Sequence, residues 1–135
     1  MKGSCLCGHV SYEVDQFIPH ATHCHCSMCR KFHGAAFATY GVVERQSFRW
    51  LTGEEHLAKF IAPNGTIRTF CQQCGSSLAF ESPTTPNSID IALSTLDDNP
   101  NELPAAHIYT SFKAPWYQIT DDLPSYDKTH DLSDT

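Results

Sequence analysis

Apolar and polar residues alternate in short runs along the chain. In HVSYEV (9–14), Val10, Tyr12 and Val14 fall on one side of an extended backbone. Comparable runs are AAFATYGVV (35–43), SFRWL (47–51), LAKFIA (57–62), TIRTF (66–70), SLAFE (77–81), SIDIALSTL (88–96), AHIYTSF (106–112) and WYQI (116–119). Period-two patterning rich in β-branched and aromatic residues predicts half-buried strands. Asn64-Gly65 between two such runs predicts a hairpin, since both residue types tolerate positive φ. Prolines 83, 86, 100, 104, 115 and 124 lie between the runs or at their edges, where no ladder donor is lost. One stretch reads as a turn or two of helix, MCRKFH, with Ser27 as N-cap and Gly34 as stop. No internal repeat or linker divides the chain. The expectation is one mainly β domain over residues 1–126, followed by a polar tail, 127–135, with nothing to bury.

Composition narrows this picture. A chain of 135 residues can bury a modest core, leaving a net stability of a few kcal/mol that a covalent or metal staple would raise. Hydrophobic residues make up 41%, and no apolar run reaches membrane-spanning length. The opening MKGSCLCGHVSYEV lacks the apolar stretch and cleavage site of a signal peptide, so the expected location is the cytoplasm. Thiols stay reduced there, and clustered cysteines hold metal more often than they form bridges. A formal charge of −6 with Lys and Arg scattered singly offers no phosphate-tracking stripe, which argues against nucleic acid as a partner. Nothing in the pattern specifies an oligomeric state.

The seven cysteines cannot all pair, because their number is odd. Cys5 and Cys7 form C-x-C, whose sulfurs share a side on an extended backbone. Cys71 and Cys74 form C-x-x-C followed by Gly75, the shape of a zinc knuckle in which glycine relieves crowding at the bend. Together the two pairs supply four thiolates, a closed tetrahedral set. Buried free thiols or a redox pair are the other readings, disfavoured by the presence of two ligand pairs and a triplet. The triplet is Cys24, Cys26 and Cys29, in HCHCSMCRKFHG. Three ligands leave a tetrahedral ion one free position, as in catalytic zinc sites. A helix start there would favour thiolate over thiol. His23, His25 or His33 could instead close the site as a fourth ligand.

The combined stretches GSCLCGHVSYEV, CHCSMCRKFHGAAFATY, RTFCQQCGSSLAF, DIALSTLDD and AHIYTSFKAPWYQI resemble the glutathione-dependent formaldehyde-activating enzymes, grouped with centromere protein V. They occur in that family's order and reach to about Tyr126. The resemblance implies an Mss4-like fold of antiparallel β-sheets stapled by zinc, with at most short helical turns. It implies two zinc ions: a structural one on Cys5, Cys7, Cys71 and Cys74, and a catalytic one on Cys24, Cys26 and Cys29. It further implies carbon–sulfur lyase chemistry, in which a thiol such as glutathione adds to formaldehyde or a related small aldehyde, or the reverse. The small-molecule thiol and aldehyde would then be its partners.

Other residues invite weighing. His25 could shuttle a proton or hydrogen-bond a sulfur, or be a solvent-facing loop histidine. Arg30 could grip a substrate carboxylate, or pair with a surface acid. His9, His33 and His107 are expected to be structural, Asp97 and Asp98 to mark a turn, and Trp116 and Tyr117 to belong to the core. Two rival readings stand beside the enzyme: a zinc-stabilised module that docks a protein partner without turnover, and a thiol sensor that loses metal on oxidation.

Overall fold

The computed structural model describes residues 1–129. Ten strands and one short helix form two sheets. The strands are β1 (Lys2–Ser4), β2 (Ser11–Val14), β3 (Ile18–Cys24), β4 (Ala38–Glu44), β5 (Phe48–Thr52), β6 (Leu57–Ile61), β7 (Ile67–Cys71), β8 (Ser77–Glu81), β9 (Ser88–Ala92) and β10 (Pro104–Ile108). Helix α1 spans Ser27–His33. A three-stranded sheet has the order β1-β2-β5, and a seven-stranded sheet the order β10-β3-β4-β9-β8-β7-β6. The mainly β expectation holds. Pairing is antiparallel except between β10 and β3, which run parallel. That pair sets Ile108 beside Cys24, and Ile108 O accepts the His25 amide at 3.0 Å.

Alternation gives the large sheet two differently used faces. On one, Val43, Ala79, Ile89 and Ile91 pack against Tyr12, Val14 and Phe17 to form the core between the sheets. Each fully buried side chain of this size contributes about 1.5–3 kcal/mol. Tyr12 lies so close to β1 that a Cβ on Gly3 would stand 2.2 Å from its ring, so only glycine fits there. On the opposite face, Ala38, Tyr40 and Ala92 pack against Cys24, Cys26 and Cys29.

Several elements differ from the sequence expectation. The hairpin at Asn64-Gly65 forms between β6 and β7, but only Gly65 has positive φ, 88°. Asn64 Oδ1 instead accepts from the Thr66 amide and hydroxyl at 3.1 and 2.8 Å. The runs 88–96 and 106–112 stop early as strands and continue as 3-10 turns, Leu93–Thr95 and Thr110–Phe112. WYQI forms no strand: Tyr117 N bonds back to Ala114 O at 3.1 Å, closing a turn. Strands β1 and β3 were not anticipated. The first is three residues long, and the second has a register shift between Ile18 and Thr22 that breaks the period of two. The polar tail expected over 127–135 lies outside the described residues from 130 onward. Its first part is tied down, since Asp127 O accepts from the Ser111 amide and hydroxyl and Lys128 O from the Tyr109 amide.

Candidate metal centres

The seven thiols are free and gather in two groups: Cys5, Cys7, Cys71 and Cys74, and Cys24, Cys26 and Cys29. Within each group every sulfur lies within 4.8 Å of the others.

Two turns build the first group. Cys5 and Cys7 do not sit on an extended strand, as i and i+2 geometry suggested. They flank a turn after β1, closed by Gly8 N→Cys5 O at 3.1 Å and permitted by Gly8 at φ 82°. The second turn follows β7. Gly75 N bonds to Cys71 O at 2.7 Å, and Gly75 has φ 80°, the role expected of it. Leu6 N→Ser76 Oγ at 2.8 Å ties the turns together. Cys7 Sγ lies 3.5 Å from Cys5 Sγ and 3.9 Å from Cys71 Sγ. A tetrahedral ion with sulfurs at about 2.3 Å would space them about 3.8 Å apart, so this all-thiol set fits a soft ion such as zinc. His9 Nδ1 hydrogen-bonds the outer side of Cys7 Sγ at 3.2 Å. Val10 N donates to Cys5 Sγ at 3.3 Å.

The second group comes from one continuous stretch. Cys24 ends β3, Cys26 precedes α1, and Cys29 lies in its first turn. The N-cap is Cys26 rather than Ser27: its sulfur accepts from Cys29 N at 3.3 Å. Gly34 ends the helix in the left-handed region at φ 60°, as expected. All three cysteines are buried. Among the described residues no histidine or carboxylate joins them within ligand spacing. His33 Nε2 turns to the Tyr40 hydroxyl at 2.7 Å, and His23 Nδ1 to Thr39 Oγ1 at 2.8 Å.

His25 is not a solvent-facing loop residue. It is fully buried, with Nε2 2.7 Å from His107 Nδ1, and His107 Nε2 lies 2.9 Å from Asp121 Oδ2. The Asp121 carboxylate accepts from His107 Nε2–H; in that neutral tautomer His107 Nδ1 accepts from His25 Nε2–H, and His25 Nδ1 has no hydrogen-bond partner among the described residues. Burial, then the neighbouring His107 and His23 rings, push His25 down to about 4, so it is neutral near pH 7. His107 is the buried structural residue expected; Asp121 was overlooked. Asp97 and Asp98 bind β1, through Ser4 Oγ at 2.8 Å and Lys2 N at 2.7 Å. Trp116 stands 72% exposed rather than in the core.

The triplet lies in the wall of a cavity of about 650 Å³, and no cysteine of the first group lines it. Apolar walls come from Phe80, Ile108 and Phe112; polar groups come from Tyr40, Arg68, Asp90, Tyr109 and Lys128. Arg68 places its two terminal nitrogens 3.8 and 3.9 Å from Cys29 Sγ and lies over the Phe80 ring at 4.8 Å. Its charge would offset that of thiolates in the triplet. Arg30 does not line the cavity, and its buried Nε has no hydrogen-bond partner. Arg68 and Asp90 were missed because a polar residue in a half-buried strand reads as solvent-facing. The available signal was a lone charge centred in each of IRTF and SIDIA.

Comparison with known proteins gives concordant results. The family model for glutathione-dependent formaldehyde-activating enzyme matches residues 1–112. A Halomonas elongata protein provisionally named as a glutathione-dependent formaldehyde-activating enzyme is 28% identical over 126 residues, covering 88% of this chain and 80% of that protein. An uncharacterized lyase of Schizosaccharomyces pombe is 27% identical over 79 residues, 58% of this chain and 56% of that protein. A crystal structure of a Rhodobacter sphaeroides protein superposes with a TM-score of 0.65 at 28% identity, covering 77% of this chain and 98% of that one.

Proposed function

The chain belongs to the glutathione-dependent formaldehyde-activating enzyme family, and on that premise we propose that it is a zinc-dependent carbon–sulfur lyase-type enzyme. It adds a thiol, glutathione or another, to formaldehyde or a related small aldehyde, or reverses that addition. The family assignment and the lyase-named relative support an enzyme of this type. No helix among the described residues is long and apolar enough to cross a membrane.

The observation that carries the reading is the asymmetry between the thiol groups: three open onto a cavity and four do not. Cys5, Cys7, Cys71 and Cys74 would hold a structural zinc, and Cys24, Cys26 and Cys29 a catalytic one. Bound there, zinc supplies a Lewis acid and a charge that favours thiolate at neutral pH. The protein's own residues do the rest. Arg68 balances the negative charge of the triplet and has no carboxylate partner among the described residues, so it can also receive a substrate anion. Phe80, Ile108 and Phe112 exclude water and hold sulfur and carbonyl carbon side by side, where proximity accelerates addition. His25, held by His107, fixes the backbone between two ligands and does not reach the cavity wall.

The test is exchange NMR of ¹³C-formaldehyde with a panel of thiols, with and without protein. Acceleration by wild type and its loss in Cys29→Ser are expected. Failure to accelerate any thiol–aldehyde pair would leave the non-catalytic binding module as the better description.

A further inference from the structure

We propose that Asp90 is a catalytic proton donor and acceptor in the thiol–aldehyde reaction, giving its carboxyl proton to the aldehyde oxygen as the carbon–sulfur bond forms. This rests on the functional reading above and adds a group that neither the family assignment nor the thiol clusters supply.

The geometry begins with strand alternation. In β9, Ile89 and Ile91 enter the core between the sheets, so Asp90 points to the opposite face, into the cavity shared with the triplet. Cross-strand register places Arg68, Phe80 and Asp90 in one row over β7, β8 and β9. Arg68 would be the natural ion-pair partner, but it is turned toward Cys29 and stacked over Phe80. Asp90 consequently has no hydrogen bond or ion pair among the described residues. The other interacting acids differ: Glu13, Asp15 and Glu81 hold arginines, Glu44 holds Gln46, Glu55 lies beside His56, Asp97 and Asp98 hold β1, and Asp121 holds His107. A partnerless carboxyl in a largely apolar wall costs stability when ionised, and packing does not explain its presence.

Few charges face it. From β4 come Tyr40, whose hydroxyl is engaged with His33, and Glu44 at the exposed far end of the strand. From β8 comes only the neutral Phe80, and from β7 Arg68. Across the cavity stand the triplet, Tyr109 and Lys128, and no hydrogen bond joins Asp90 to the sulfurs. Burial pushes the carboxyl up to about 7, which makes both its acid and base forms accessible near neutral pH.

The step balances without another reactant. The sulfur forms the bond to carbon, the carbonyl π pair moves onto oxygen, and the Asp90 O–H proton moves to that oxygen. The proton given up by the thiol restores the carboxylic acid. One thiol and one aldehyde give one hemithioacetal, and the reverse step runs through the same groups.

The experiment uses the zinc-loaded full chain, with ¹³C-formaldehyde and either glutathione or 2-mercaptoethanol, across neutral pH. Asp90→Asn should lower kcat by about tenfold or more for both thiols and leave KM nearly unchanged. The ratio of wild-type to Asp90→Asn rate should fall as pH rises through about 7, because the acid form is lost. Asp90→Glu should restore part of the rate. Independently of turnover, ¹³C-carboxyl NMR should show one resonance titrating near 7 that is absent from Asp90→Asn. An unchanged kcat and pH profile in Asp90→Asn, with wild type active, overturns the role of Asp90 alone. A KM increase confined to glutathione would make Asp90 an anchor for a substrate ammonium and overturn proton transfer. Absence of any wild-type acceleration overturns this role and the functional reading together.

Discussion

The two thiol clusters have nearly the same chemistry and opposite structural consequences. Cys5 and Cys7 lie more than sixty residues from Cys71 and Cys74, so an ion they share ties the small sheet's first strand to the large sheet. Cys24, Cys26 and Cys29 lie within six consecutive residues, and an ion there crosses no long loop. Closing a long loop restricts the unfolded chain far more than closing a short one. The first cluster faces the packing between turns around Val10 and Leu78; the second faces a cavity. On the proposed reading, the same ligand chemistry would stabilise the fold at one place and be available for reaction at the other.

The largest effect that could break this comparison is removal of a first-cluster ligand. Structural zinc contributes about 10–16 kcal/mol in peptide systems, which matches or exceeds the whole stability of a small domain. Chelation or Cys71→Ser should abolish the cooperative unfolding transition, followed by near-ultraviolet circular dichroism. A folded Cys71→Ser protein with one zinc fewer would show that the two clusters are equivalent.

Next comes Cys29→Ser, expected to remove one zinc per chain and the thiol–aldehyde acceleration while lowering Tm by only a few degrees. Metal analysis, calorimetry and exchange NMR on one sample check all three. Unfolding of this variant would erase the distinction between a stapling and a reacting centre.

A smaller effect tests the support behind the second cluster. His107→Phe leaves the buried His25 Nε2–H without an acceptor, which should cost about 1–3 kcal/mol in denaturant unfolding. Zinc at the first cluster should be unaffected. Smallest are the glycines that end the ligand turns. Gly34 and Gly75 both have positive φ, and neither has an atom within 4 Å of where a Cβ would stand. Alanine at either should cost about 1–2 kcal/mol from backbone strain alone. A markedly larger loss at Gly75 would mean that strain there is transmitted to the ion.

How much of this was legible in advance depended on the range of the interaction involved. The knuckle at Cys71–Gly75, the short helix with its Gly34 stop and the β6–β7 hairpin are local, and their residues announce them. Strand β3 was not legible because its hydrophobic period is broken and its neighbours β4 and β10, not its own pattern, hold it extended. Arg30, adjacent to the triplet in sequence, was the natural anion-binding candidate. Arg68, brought by a cross-sheet row, is the arginine that lies beside Cys29.

By itself the sequence determined which residues carry sulfur, how each ligand turn bends, and that β9 presents isoleucines on one side and Asp90 on the other. These follow from steric limits and side-chain alternation within a few residues. Only the tertiary structure decided that the Asp90 side borders the cavity onto which the triplet opens, and that Arg68 turns to Cys29 and leaves Asp90 without a partner among the described residues. A strand's two sides are set by its own backbone, but whether a side faces water, core or substrate depends on what distant segments fold over it.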